Sequence, residues 1–239
     1  MITQFKINPP FFELGPKAYL FGEASVALAK EADRIGKKYN VSIIYTPQYV
    51  DIPQIVKATD HIHVFAQHMD SLNIGRGIGS VLPEALVDAG AKGVLLNHVE
   101  KSLTLTEINK SIKRADEVGL VSIVCADTPE EAAAVAHLAP NIIIAESPEL
   151  IGGGKRDKND MSNIAVTENA IKAINSNISV IHGAGISCGQ DVYDIIIQGA
   201  EGTGSTSGVI KAVNPFAMLE EMISAVREAY EKRTKNKGE

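Results

Sequence analysis

The chain has 239 residues, 45% of them hydrophobic, enough to bury a sizeable core in one or two domains. Its 23 Lys+Arg against 29 Asp+Glu leave a net charge of −6, with 5% aromatics and no Trp. That balance speaks against nonspecific nucleic-acid binding, which needs a basic surplus, and against a base-stacking surface.

Short β-branched or apolar runs recur along the chain, at 2–7, 41–45, 61–66, 93–96, 120–125, 141–145, 178–181 and, weakly, near Gly202. Most are continuously apolar, as parallel strands buried on both faces should be. Helical patterns fill the gaps. The first spans 17–39, and the next is opened by Asp51-Ile52-Pro53. Another runs 83–89 to Gly90, and the next 106–118, closed by Gly119. Thr128-Pro129-Glu130-Glu131 is a capping signature for 129–138. Segments 163–175, 189–198 and 215–232 complete the set, and a charged tail, 233–239, is expected to fray. Strict β–α alternation predicts a parallel sheet. Eight units in 239 residues suit a single closed (β/α)8 barrel over 1–239, with an open doubly wound sheet as the alternative. No composition break divides the chain.

In such barrels the active site lies at the C-terminal ends of the strands. On this reading Lys6 ends strand one, and Asn97, His98 and Glu100 follow strand four. Glu146 follows strand six, directly behind an apolar run, where a carboxylate costs energy unless it is used. A lysine, a histidine and a glutamate make a working set of electrostatic clamp, proton donor and base. Gly183-Ala184-Gly185-Ile186-Ser187 follows strand seven, and Gly204-Ser205-Thr206-Ser207-Gly208 follows strand eight. Backbone N–H groups of such loops can converge on a phosphate, although a plain tight turn is the bland reading of either one. A third glycine-rich stretch, Ser147 through Gly154, has a stiff start and a flexible end, the make-up of a hinged lid beside a base. Leu150 and Ile151 weigh against a merely floppy loop, because they need something to cover.

Other groups carry less. Cys125 and Cys188 make neither a disulfide framework nor a metal knuckle, and suit free thiols in a reducing compartment. His61, His63, His68 and Asp70 lack trustworthy ligand spacing, so no metal and no cofactor is expected. Lys155, Arg156 and Lys158 read as a solvated lid flank or as an extra anion contact. No stretch reaches the ~18 apolar residues of a membrane span, and the start has no apolar core of a secretory signal. A cytoplasmic protein with no membrane or nucleic-acid partner is expected.

Five stretches then resemble the triosephosphate isomerase family in its shorter, archaeal-like form. They are Ala66-Gln67-His68, Val81-Leu82-Pro83-Glu84-Ala85, Leu96-Asn97-His98-Val99-Glu100, Ala145-Glu146-Ser147-Pro148-Glu149-Leu150-Ile151-Gly152 and Gly183-Ala184-Gly185-Ile186-Ser187. Each is short; their order and spacing together are specific. The resemblance implies cofactor-free interconversion of dihydroxyacetone phosphate and glyceraldehyde 3-phosphate. It implies that Glu146 moves a proton between the two carbons, that His98 polarises the carbonyl, and that Lys6 stabilises the enediolate. It further implies phosphate binding by Gly152, Gly153, Gly185, Ser187, Thr206 and Ser207, support from Gln4, Asn97 and Glu100, with Glu100 paired to Lys6, and a homodimer or homotetramer built through the loop at Gly75–Gly79.

Departures from the family pattern surround the same centre. The Asn-x-Lys of strand one is read as Gln4-Phe5-Lys6, the His-Ser-Glu after strand four is His98-Val99-Glu100, and the intersubunit Thr-Gly is Ile78-Gly79. They leave room for a paralogue acting on a four- or five-carbon sugar phosphate, or for a non-catalytic sugar-phosphate binder. A lyase using Lys6 as a Schiff-base nucleophile is a further class.

Overall fold

A computed structural model describes residues 6–147, 150–151 and 158–236, the last segment with side chains from Ile164 to Lys235. Eight parallel strands form a closed barrel in chain order: β1 (Phe11–Leu14), β2 (Ser42–Tyr45), β3 (His63–Ala66), β4 (Gly93–Leu96), β5 (Val121–Ala126), β6 (Ile142–Ala145), β7 (Ser179–His182) and β8 (Gly202–Gly204). The ring shuts where Phe11 and Glu13 of β1 register with Gly202 and Gly204 of β8. Helices α1 (Gly22–Tyr39), α2 (Ile52–Ala58), α3 (Pro83–Asp88), α4 (Leu105–Val118), α5 (Pro129–Ala136), α6 (Lys158–Ile174) and α7 (Gly189–Ile197) alternate with the strands. After β8 come a single turn, α8 (Ser207–Ile210), and the long α9 (Pro215–Asn236).

Local chemistry fixes several boundaries. Thr104 caps α4 by accepting the Glu107 N–H at 3.2 Å, and Gly119 closes it in the left-handed region at φ 82°. Thr128 caps α5 in the same way, accepting the Glu131 N–H at 3.1 Å. The tail is helical further than expected: α9 reaches Asn236, and the Arg233 guanidinium donates to the carbonyls of Ile196 and Ala200. Residues 237–239 lie outside the described residues. Among the described residues no helix is long and apolar enough to cross a membrane.

Of the strand expected over 2–7, residues 2–5 lie outside the described residues, and Lys6 and Ile7 are not in a strand. Among the described residues the barrel's first strand is Phe11–Leu14, a correction to the expected one, and α1 starts at Gly22 rather than at 17. Pro9 and Pro10 cannot donate to a ladder, and Gly15-Pro16 stops the run that follows. The four residues between these breaks are therefore the strand. Phe11 and Phe12 are both fully buried, on opposite faces: Phe11 fills the barrel interior, and Phe12 packs outward against the helices.

The interior is a small apolar cluster that includes Phe11, Ile44, Phe65, Ile123, Cys125, Ile144 and Ile181. Two of its rings fit only because glycines face them. A Cβ on Gly93 would stand 2.2 Å from the Phe65 ring, and one on Gly202 would stand 2.5 Å from the Phe11 ring. Gly93→Ala should therefore destabilise the barrel by about 1–3 kcal/mol, the usual cost of overpacking a filled core. Thermal melting of Gly93→Ala, Phe65→Leu and the double variant checks it: the smaller side chain should recover part of the loss. An unchanged melting temperature in Gly93→Ala would show that the ring can yield.

Candidate active site

A pocket of about 510 Å³ opens at the C-terminal ends of the strands. Its floor is set by side chains that end β1, β6 and β7, and its rim by the loops that follow.

Of the lysines lining this pocket among the described residues, Lys17, Lys101 and Lys211, Lys17 is the one that follows β1. It sits in the loop after β1 with φ 48°, a left-handed backbone unusual for a lysine. Its carbonyl accepts side-chain amides of Gln48 at 2.8 Å and Gln67 at 3.1 Å, and Gln67 also reaches the Thr46 carbonyl at 2.9 Å. These bonds hold the conformation where the ammonium meets Glu100 Oε1 at 2.8 Å. Burial works to raise the Glu100 carboxyl, but the hydrogen bond and charge of Lys17 outweigh it and hold it below its ordinary value.

Lys6 is not part of this site. It is exposed, precedes β1 and does not line the pocket, so the lysine assignment at the first strand moves with the strand itself. Gln4, Gly152 and Gly153 lie outside the described residues. The missed signal was the compact Phe11-Phe12-Glu13-Leu14 run between two proline-containing breaks, with Lys17 one residue beyond the second.

His98 lies just past β4. Its Nδ1 accepts the Glu100 N–H at 3.1 Å within a turn of 3-10 helix, so its ring proton belongs on Nε2. That Nε2 stands 3.4 Å from Glu146 Oε1. Burial, aided by the Lys17 charge, pushes the His98 pKa down, so the ring is neutral near pH 7. Asn97, beside it, adopts φ 58° and points away from the pocket. Its amide donates to the Cys125 carbonyl at 3.0 Å and to Glu131, and its Oδ1 accepts the Leu103 N–H at 2.9 Å. Asn97 thus braces the turn that aims His98.

Glu146 follows β6, its N–H given to the Ala126 carbonyl at 3.1 Å. A Cβ on Gly183 would come within 3.0 Å of Glu146 Oε2, so the glycine after β7 leaves the carboxylate its place. Leu150 and Ile151 also line the pocket, as expected of lid residues with something to cover. One further carboxyl was not anticipated. Glu13, on β1, lines the pocket and accepts the Thr46 hydroxyl at 2.8 Å. Burial, reinforced by the Glu146 charge and only partly offset by Thr46 and Lys17, pushes its pKa up to about 7.

The loops after β7 and β8 form the other end. Gly185, Ser187, Thr206 and Ser207 all line the pocket. The two loops are stitched together by Ser205 Oγ, which donates to the Ile186 carbonyl at 3.0 Å. Gly208 lets them approach: a Cβ there would meet that carbonyl at 2.4 Å. The first N–H groups of α8 have no carbonyl partner within the helix and face an anion favourably. Ser187 is engaged differently, since both its N–H and its hydroxyl go to Asp191 at 2.7 and 2.8 Å. Among the described residues no group of His, Cys, Asp and Glu is placed to hold a metal ion.

A neutral imidazole, a carboxylate and an ammonium converging in an eightfold barrel, beside paired glycine-rich loops, define an aldose–ketose isomerase of the (β/α)8 class. A family model described as triosephosphate isomerase matches residues 17–226, beginning at Lys17. The triosephosphate isomerase of Sulfurisphaera tokodaii is 38% identical over 232 residues, covering 95% of this chain and all of that protein. That of Methanothermus fervidus is 41% identical over 221 residues, covering 91% and 99%, and that of Methanocaldococcus jannaschii is 39% identical over 206 residues, covering 86% and 94%. The chain belongs to the triosephosphate isomerase family. The family's Asn-x-Lys is met here by Gly15-Pro16-Lys17, with glycine in place of the asparagine.

Two substitutions separate the lysines. Lys17→Met should lower kcat/KM by about 10²–10³-fold, the scale for losing one preorganised stabiliser of a developing oxyanion. Lys6→Met should leave kcat/KM within twofold of the parent, and the reverse ranking would return the site to Lys6.

Proposed function

We propose that this protein interconverts dihydroxyacetone phosphate and glyceraldehyde 3-phosphate, with Lys17, His98 and Glu146 as its catalytic residues. The observation that carries this reading is the 3.4 Å approach of His98 Nε2 to Glu146 Oε1, in a pocket that Lys17 enters from β1. Glu146 removes a proton from the carbon beside the carbonyl, and the C–H electron pair becomes the carbon–carbon double bond of an enediolate. The carbonyl pair moves onto oxygen, where the Lys17 ammonium and the Nε2–H of His98 stabilise it. The neutral ring then passes a proton between the two substrate oxygens. Glu146 returns its proton to the neighbouring carbon, so nothing is gained or lost overall. Gly185, Thr206 and Ser207, with Gly152 and Gly153 of the lid, hold the phosphate. Ser187 joins them once its bonds to Asp191 are exchanged. Glu100 holds Lys17 in place, and Asn97 supports His98. Leu150 and Ile151 lead into the lid, whose closure keeps water from the enediolate.

The chain is proposed to act as a single barrel domain, without cofactor or metal, in the cytoplasm. Homo-oligomerisation, as a dimer or tetramer, is supported by the loop at Gly75–Gly79, where Ile74 and Ile78 hold their side chains in solvent.

The test is a coupled assay in both directions. The parent protein should approach the diffusional ceiling of about 10⁸–10⁹ M⁻¹s⁻¹. Glu146→Gln should lose about 10²–10⁴-fold in kcat, the range for removing a general base. Near-normal turnover by Glu146→Gln would overturn the assignment.

A further inference from the structure

The pocket holds a carboxyl that the reaction above does not use. Glu13 faces inward from β1, as Phe11 does, three positions before the Pro16-Lys17 step. Its Oε1 accepts the Thr46 hydroxyl at 2.8 Å. A Cβ on Gly15 would fall 2.8 Å from that same Oε1 and 2.7 Å from Thr46 Oγ1. Glu13 and Thr46 therefore occupy the space into which a side chain at position 15 would project, the position where the family pattern has asparagine. The second oxygen, Oε2, lies over Gly204, 3.1 Å from where a Cβ would sit. It opens on the pocket between the catalytic end and the glycine-rich loops.

Charge decides which form of this group is useful. Among the described residues, the charged ones lining the pocket are Lys17, Lys101 and Lys211 against Glu13, Glu100 and Glu146. With Glu13 neutral, three cations face two anions and the pocket favours a phosphorylated, oxyanion-forming substrate. With Glu13 ionised, that excess vanishes. Burial is the main influence on Glu13 and favours the neutral acid. The groups that face it pull both ways: Glu146 from β6 raises its pKa, the Thr46 hydroxyl after β2 and Lys17 from its own strand's loop lower it, and Cys125 from β5 is itself held protonated, chiefly by its burial.

We propose that Glu13 is a substrate-binding carboxyl of this enzyme, which takes over the position vacated at Gly15 and, in its protonated form, donates a hydrogen bond from Oε2 to an oxygen of the bound sugar phosphate. This rests on the isomerase reading for the identity of the ligand, but the charge argument applies to any dianion in the pocket. The proton stays on Glu13 throughout; it is a donor and not a base. Loss of that proton as pH rises through about 7 removes the donor and adds a negative charge. The active form is therefore the low-pH form, and activity should fall on the alkaline side.

The experiment compares parent, Glu13→Gln and Glu13→Ala between pH 5.5 and 9. It uses kcat/KM for glyceraldehyde 3-phosphate and calorimetric binding of sulfate, a dianion that does not itself titrate there. In the parent, both kcat/KM and sulfate affinity should decline above pH 7, and in Glu13→Gln that decline should vanish. Glu13→Ala should also lose the decline, but with kcat/KM about tenfold below Glu13→Gln, because only the amide still donates. A Glu13→Gln profile that keeps the parent's alkaline decline in both readouts overturns the proposal. So does Glu13→Ala matching Glu13→Gln at every pH. If the parent shows no turnover, the isomerase reading fails, and the sulfate profile alone still decides whether Glu13 sets the charge of the pocket. Circular dichroism melts confirm that each variant is folded before it is scored.

Discussion

The closure between β1 and β8 is the constraint from which the site follows. β8 is only three residues long, Gly202–Gly204, and on its β7 side the buried Thr203 hydroxyl donates to the His182 carbonyl at 2.8 Å. On its β1 side the Phe11 ring lies over Gly202, and the Glu13 carbonyl accepts the Ser205 N–H at 3.1 Å. That last bond joins the two ends of the pocket. On one side of it Glu13 and Lys17 lead from β1 towards His98 and Glu146. On the other, Ser205 opens the loop that faces the phosphate end. A Phe–Gly contact deep in the barrel thus sets how far the acid–base groups stand from the anion-binding loops. Glycine at 202 is required by proximity rather than by backbone conformation.

Much of this was legible in the sequence where the signal was local. The runs in β4 and β6 are unbroken and apolar, and that in β5 is broken only by Ser122, because both faces of a barrel strand are buried, so they stand out in the chain. Thr128 announces its helix because a side-chain oxygen at that position caps it, whereas the helix expected from 106 is capped by Thr104 and begins at Leu105. Asn97-His98 and Glu146 stand directly after such strands, and their place at the barrel mouth follows from the strands alone. The first strand was legible only in outline. The alternating residues around Lys6 imitate a strand, and the true strand carries a glutamate in its interior, which violates the pattern being sought. The misplacement carried the lysine with it. Lys17 was hidden for a second reason: its left-handed backbone depends on amides from Gln48 and Gln67, partners supplied by the following two strand loops. Nothing in the residues next to Lys17 encodes that.

The electrostatics share one logic. The protein does not leave the histidine free to choose its charge. Its Nδ1 takes a backbone N–H from the turn that follows, while burial and Lys17 disfavour a second proton. Lys17 in turn is tied to Glu100 rather than left to pair with the base. Lys17 and Glu100 thus hold each other, and His98 its tautomer, before substrate arrives, and little reorganisation of these groups remains when charge develops on the substrate oxygen.

Glu13 fits that logic only if it enters neutral. An anionic carboxyl at the barrel floor would compete with the substrate for Lys17 and would repel both Glu146 and the phosphate. Gly15 supplies the compensating change, since a side chain there would collide with the carboxyl and with Thr46. The glycine where the family pattern has asparagine and the glutamate two residues before it therefore form one physical arrangement. The space at the strand end is filled from two residues back, by a group whose usefulness depends on keeping its proton.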